Sequence, residues 1–447
     1  MRCIQWNIYR LTSQCKHSNH CESNRGGLKY YMLNDHLIIS LLTILALAWP
    51  VGALFVRMGL PVMLGQLVTG LILGPAVLNL IHPSEGITFL ADLGIFFAMF
   101  YAGMEMDPKE LLEHIWPSLA VAIGGFVLPF ALGFFATRFF GGTAFQSLFV
   151  GIGLSVTAIA VQAVILQEME IHKTKIGHVI MGAAIADDII SLVGLSVLLG
   201  LVKTGTVETV GILVIILKVV VFFGFTILVG HFVVPFFTRK LDDYNAKGFT
   251  FAMIAALVMA TAAEMAGLHT VIGAFLAGQF VRKEIMDVKV YNAIGDRFYG
   301  LSHGFLMPVF FASLAFHIHF EWNLSFLLFA VIITVTAILG KLIGCGIGAL
   351  AFRFSMRESA IIGFGMNGRG AVELVIVAVV IGLSNDLMTQ GVINEPLLTQ
   401  YQISALVLMA FITTMLAPLM LRWSMMKTCQ GTEKDQFCQL WDNSKQK

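Results

Sequence analysis

The sequence predicts an all-α integral membrane protein, and three observations carry that expectation. Hydrophobic residues make up 57% of the 447 and charged residues only 12%, against about 25% charged in soluble domains. The mean hydropathy is +0.84. Apolar runs of spanning length, about 20 residues, follow one another along nearly the whole chain, which leaves no room for a soluble catalytic domain. A net charge of +1 gives no reason to expect nucleic acid or an acidic partner.

Residues 1–31 are polar and aperiodic and precede Met32, where MLNDHLIISLL opens the membrane pattern. They read as an extension from a mis-assigned start, with Met32 as the true one. Ala46-Leu-Ala48 imitates a signal-peptide cleavage site, but the apolar run continues past it to Val56. Within the extension, the spacing of Cys15, His17, His20 and Cys21 fits no common zinc module. A transmembrane domain over 32–424 follows, with runs near 37–56, 60–80, 87–104, 117–139, 144–166, 176–201 and 209–236. Further runs fall near 248–266, 268–282, 299–318, 323–352, 358–382 and 401–424, about thirteen spans in all. The pair 248–266 and 268–282 leaves open a merged helix or a short re-entrant piece. Residues 425–447 form a short polar tail, too small for a nucleotide-binding or regulatory domain.

Lys and Arg orient the bundle, because cytoplasmic loops carry the excess. One set of loops holds Arg57, Lys109, Lys173, Lys175, Arg239, Lys240, Lys247, Arg282, Lys283, Lys289, Arg297, Arg353 and Arg357, and the tail joins it. The opposite set holds little beyond Arg138 and Lys203. The C-terminus is therefore expected in the cytoplasm and the N-terminus of the first span outside.

The chemistry lies in groups that a membrane interior disfavours. Asp187 and Asp188 sit side by side in GAAIADDIISL, where one ionised Asp alone costs about 2.5–3.5 kcal/mol. Two repel one another as well, so the pair points to binding of cations, protons or both. Lys341, in AILGKLIGCGIGAL, is the natural counter-ion for one of them. Successive helical residues point about 100° apart, so the other Asp is free to face an aqueous cavity. Arg369 and Glu373 are four residues apart and so can pair on one helical face. Lys218 has no evident partner and reads as a packing or snorkelling residue.

Two spans carry signs of interruption. The run Ser155-Val-Thr157-Ala-Ile-Ala-Val-Gln162 brings hydroxyls and an amide to mid-membrane, and Gly363, Gly365, Gly368 and Gly370 surround Asn367 and Arg369. Unwound backbone at that depth is tolerated where it lines a cavity or is buried in protein, although small residues also serve tight helix packing. The two spans are fifth and twelfth in order, so they cross the membrane in opposite directions. Paired interrupted helices in inverted halves are the pointer to a transporter site at the midplane.

These pieces resemble the monovalent cation/proton antiporters, in the branch that holds bacterial Na+/H+ antiporters and Kef-type potassium efflux systems. The matching segments are GQLVTGLILGP (65–75), FYAGMEMD (100–107), LSVTAIAVQAVI (154–165), GAAIADDIISL (182–192) and GFGMNGRGAVELVI (363–376). The resemblance implies a homodimer in a bacterial inner membrane, with a core of crossed broken helices moving against a dimerisation domain. It implies Asp188 as the main ion and proton carrier, Asp187 as the partner of Lys341, and Thr157 at the first helix break. Arg369, Glu373, Asn367 and Ser155 would be supporting polar groups. No cofactor is expected beyond the transported ions.

A small hard cation prefers oxygen ligands, and protonating a carboxylate removes the charge that holds it. Competition for one site, with alternating access, is sufficient for antiport. If Lys341 also releases a proton when the cation binds, exchange would be electrogenic. An Asp-Asp pair with a membrane Lys resembles the sodium-type members, whereas potassium efflux relatives commonly replace the first Asp with Gln and add a nucleotide-sensing domain. The alternatives are a Kef-like K+/H+ unit with a separate regulator, a Na+-coupled solute symporter and a non-transporting membrane sensor. No nucleophile–base constellation suggests a hydrolytic enzyme.

Overall fold

The computed structural model describes residues 37–58, 60–204, 209–234, 247–281, 286–316, 324–390, 393 and 395–429. The N-terminal extension with its Cys/His cluster, residues 430–447 of the tail, and Arg239, Lys240, Arg282 and Lys283 lie outside the described residues. All described elements are helical.

The first half holds α1 (Leu37–Arg57), α2 (Val62–Leu73), α3 (Glu85–Glu105), the short α4 (Pro108–Glu113), α5 (Ile115–Phe139), α6 (Ala144–Ser155), α7 (Ile159–Glu168) and α8 (Lys175–Thr204). A linking helix, α9 (Thr209–Leu228), runs on into a π turn at Val229–Val233. The second half holds α10 (Lys247–Met265), α11 (Thr270–Gly278), α12 (Val288–Leu301), α13 (Met307–Ala315), α14 (Leu324–Ala351), α15 (Met356–Gly365), α16 (Ala371–Thr389) and α17 (Gln400–Cys429).

Ten of these segments, with α6–α7 and α12–α13 each taken as one, are long and apolar enough to cross a membrane. The remaining three apolar runs are shorter or interrupted. The run expected at 60–80 gives a helix of 12 residues, about 18 Å long. The run at 268–282 gives one of nine residues, about 14 Å long and too short to span alone. The tenth predicted span begins earlier than hydropathy suggests, because α12 is amphipathic and carries Lys289, Asp296 and Arg297. It continues through a π turn at Ser302–Leu306 just ahead of Pro308, whose missing N–H interrupts the helical ladder.

The halves repeat one packing scheme. Helix α1 lies on α2 as α10 lies on α11, and α2 packs on α13 as α11 packs on α3. In the same way α5 contacts α6 and α8, and α14 contacts α15 and α17. Each partner is seven spans further on, so the repeats are inverted. Their central helices cross where Gly124 of α5 meets Gly344 of α14, and a Cβ on either would collide with the other's carbonyl oxygen. The linking helix lies outside this scheme. Leu213, Leu217, Val220, Val221 and Ile227 are exposed on it, and Lys218 is exposed among them.

Candidate functional site

Two breaks in the helical ladder build the site. Helix α6 starts from a Thr143/Gln146 capping box and ends at Ser155. Val156 and Ala158 are extended before α7 begins at Ile159. Helix α15 starts from a Ser355/Glu358 capping box and ends at Gly365, and the chain is unwound until Ala371 opens α16. The breaks touch: the Ala158 N–H and the Gln162 side-chain amide both donate to the carbonyl of Gly368, each at 3.2 Å. A Cβ at Gly368 would lie 2.7 Å from Gln162 Nε2 and 3.0 Å from Val161 Cγ1, so a larger residue would displace the Gln162 side chain that bonds this carbonyl.

An interrupted helix leaves its last carbonyls without partners. Arg369 reaches across from the second break to supply them. One guanidinium nitrogen donates to Gly153 O at 2.9 Å and Val156 O at 3.0 Å, and the other to Leu154 O. A positive charge is favourable at that helix C-terminus. Thr414 of α17 holds the Arg369 backbone from both sides, accepting from its N–H at 3.1 Å and donating to its carbonyl at 2.6 Å.

Arg369 and Glu373 make no hydrogen-bonded pair among the described residues, although their charges lie within Coulombic range of one another. The unwound backbone at Arg369 places it outside the helical register that the four-residue spacing assumes, and its two terminal guanidinium nitrogens are engaged by the carbonyls of Gly153, Leu154 and Val156. Neither oxygen of the buried Glu373 has a hydrogen-bond partner among the described residues. Asn367 donates to Gly363 O at 2.9 Å, and Ser155 Oγ lies 2.9 Å from both Phe126 O and Gly151 O. Both brace the breaks.

Across from the breaks, α8 presents the two aspartates. Lys341 Nζ lies 3.1 Å from Asp187 Oδ2, and both side chains are fully buried. Asp188 is 4% exposed, and neither of its oxygens has a hydrogen-bond partner among the described residues. Asp187 and Lys341 lie within Coulombic range of it. Asp187 Oδ1, Thr157 Oγ1 and Gln162 Oε1 are also buried without partners. Unpaired carboxylate, hydroxyl and amide oxygens are the kind of donor that a small hard cation needs.

Sequence reading passed over two participants. Thr414 looked like any helical hydroxyl, as its neighbour Thr413 is, bonding Met409 O at 2.9 Å. Ser191, one turn beyond the aspartates, is buried and its hydroxyl has no partner among the described residues. Its spacing from Asp187 was the available signal.

At one end of the molecule, polar contacts tie the segment around α7 to α3 and to the π turn of the second half. Glu105 pairs with Lys173 and lies 3.5 Å from His172 Nε2. Gln167 Oε1 and His303 Nε2 lie 3.2 Å apart.

Comparison with known proteins agrees with this architecture. The family model described as "Sodium/hydrogen exchanger, transmembrane" matches residues 40–427. The chain is 34% identical over 375 residues to the Na(+)/H(+)-K(+) antiporter GerN of Bacillus cereus, covering 83% of this chain and 92% of that one. It is 29% identical over 388 residues to a Na(+)/H(+) antiporter of Enterococcus hirae, covering 86% and 97%. A solved structure of the sodium proton antiporter MjNhaP1 from Methanocaldococcus jannaschii shares the fold, with a TM-score of 0.69 at 16% identity over 90% of this chain and 99% of that one. The chain therefore belongs to the family of transmembrane sodium/hydrogen exchangers.

Proposed function

We propose that this exchanger carries Na+ or Li+ in preference to K+, against protons, with Asp188 as the group that takes either cargo. The observation that carries the reading is the contrast between the two aspartates. Asp187 is matched by Lys341 at 3.1 Å, whereas neither oxygen of Asp188 has a hydrogen-bond partner among the described residues. Carboxylate, hydroxyl and water oxygens suit a hard monovalent cation. A proton on Asp188 removes the charge that binds it, so each ion displaces the other.

Helices α5–α8 and α14–α17 form the moving core in this reading, and α1–α3 and α10–α13 the scaffold on which a second copy docks. The contacts of Glu105 and Gln167 then join core to scaffold at one end, the kind of tie that holds one side of an alternating-access cycle closed. The basic loops support a cytoplasmic side for that end and for the C-terminus, in a bacterial inner membrane. The chain works as a carrier rather than an enzyme.

K+ acceptance beside Na+ is the second reading, favoured by the relative named as a Na(+)/H(+)-K(+) antiporter. Proteoliposomes loaded with a pH-sensitive dye separate the readings when Na+, Li+ and K+ are added in turn. Proton movement is expected with Na+ and Li+, little with K+, and none with Asp188→Asn. Exchange that survives Asp188→Asn would refute the assignment of the carrier.

A further inference from the structure

We propose that Ser191 is a further ligand of the transported cation and helps to set which monovalent ion is accepted. The inference rests on the reading of Asp188 as carrier. Its starting point is a departure from the habit of this chain's buried helical hydroxyls. Thr69, Thr137, Ser147 and Thr334 each donate to the carbonyl four residues earlier, at 2.6–2.9 Å. Ser191 is 3% exposed, yet its hydroxyl has no partner among the described residues; Ser118 and Ser359 share that state, but of the three only Ser191 lies within one helical turn of both carboxylates.

The residue four positions before Ser191 is Asp187, and three before is Asp188. In a helix these spacings place all three side chains on adjoining ridges of one side. Asp187, Ser191 and Gly194 make a single stripe at i, i+4 and i+7. Its far end is fixed by Gly194, where an added Cβ would lie 3.1 Å from Phe126 and 3.6 Å from Ile152. The stripe therefore runs along the seam between α5 and α6, the seam where Ser155 bonds Phe126 beside the first break. Ser191 stands one turn from both carboxylates inside protein, away from the lipid-facing side.

A buried hydroxyl without a partner costs about 1–3 kcal/mol. Alanine would avoid that cost at no loss of packing volume beyond one oxygen, so a serine is explained by a ligand it meets during transport. As a neutral ligand it adds an oxygen to those of Asp188 and Thr157 without adding a titrating group. Discrimination among monovalent cations follows from the number, spacing and field strength of such oxygens. The hydroxyl should therefore affect affinity and ion preference and leave proton coupling intact.

The test compares wild type, Ser191→Ala, Ser191→Thr and Asp188→Asn in proteoliposomes, with KM and maximal rate measured for Na+, Li+ and K+ and thermal stability in detergent alongside. Ser191→Ala should raise KM for Na+ and Li+ roughly fivefold, the equivalent of one hydrogen bond of about 1 kcal/mol, with maximal rate unchanged and Tm equal to or above that of wild type. The Na+ to K+ preference should narrow, and Ser191→Thr, which keeps the hydroxyl, should stay near wild type. An unchanged KM for all three ions in Ser191→Ala overturns the proposal, as does an equal loss of maximal rate for all three with a lowered Tm. Exchange retained by Asp188→Asn would show instead that the underlying carrier assignment has failed.

Discussion

Replacing Lys341 with methionine is the sharpest physical test of the site. The ammonium lies 3.1 Å from Asp187, and both side chains have no exposure. Methionine keeps most of the volume and removes only the charge, so packing changes should be small. What remains is a carboxylate without its counter-ion in a water-poor interior. Breaking a buried ion pair from one side costs about 3–5 kcal/mol, whereas replacing both partners with neutral groups is often close to neutral. Each kcal/mol shifts Tm by about 2–4 °C in domains of 150–250 residues and by less in larger chains. Lys341→Met should therefore lower the Tm of the detergent-purified protein on the order of 5–10 °C. Asp187→Asn introduced on top should recover most of that loss. The informative quantity is the coupling between the two changes, read from the full cycle of wild type, both single variants and the double variant. If Lys341→Met melts with wild type, or the double variant is no more stable than the worse single one, the pair is not the buried unit the geometry describes.

Gly368→Ala should fold yet lose most exchange, because the new methyl group meets Val161 and displaces the Gln162 side chain that ties the two breaks together; full transport activity would show that the close approach is dispensable. Arg369→Lys should lower stability by about 2–4 kcal/mol, since an ammonium cannot reach the three carbonyls that the guanidinium spans, and an unchanged thermal melt contradicts that account. Because proton and cation compete for one carboxylate, the apparent KM for Na+ should rise as pH falls while the maximal rate changes little, and a KM independent of pH would separate the two sites. If Lys341 releases a proton during the cycle, an imposed membrane potential should accelerate wild-type exchange and leave Lys341→Met indifferent; voltage-insensitive wild-type exchange removes Lys341 from the stoichiometry.

The fold was legible to the degree that hydropathy and count determine it. Apolar length marked the spans, and the odd separation of two glycine- and hydroxyl-bearing segments marked inverted halves. Short helices such as α11 were less legible, because an apolar run of given length does not say where a capping residue stops it; here His269 opens the helix and the chain leaves it at Gln279. The site divided in the same way. Charged residues inside apolar runs announced themselves by their cost. The hydrogen-bond partners of Arg369 were hidden, because the four-residue spacing to Glu373 assumes a continuous helix and the chain is unwound at Arg369. Thr414 was hidden for the opposite reason, since a hydroxyl in a continuous helix already has a carbonyl within reach.

The two inverted halves share a backbone plan but divide the charges between them. The first half contributes both aspartates, on α8, and its helix break carries only the neutral Thr157. The second half contributes Lys341 on α14 and Arg369 at its break, and its counterpart to α8, the helix α17, bears Thr413 and Thr414 at a similar depth. A symmetric scaffold with symmetric charges would form two equivalent sites or none. Placing both aspartates in one half and both bases in the other instead forms one site across the crossing, with Glu373 as an acid of the second half in Coulombic range of its own Arg369. Around the breaks, Asp187, Asp188 and Glu373 stand against Lys341 and Arg369, which leaves one carboxylate's charge unmatched when all are ionised. One proton or one monovalent cation neutralises it, so the loaded core crosses the low-dielectric region uncharged with either cargo, and the empty core is held back by its own charge. That penalty enforces exchange over leak. It also means that this charge balance alone gives electroneutral turnover: an electrogenic cycle needs a second group to change charge, and the Asp187–Lys341 pair is the one a cation on Asp188 can disturb.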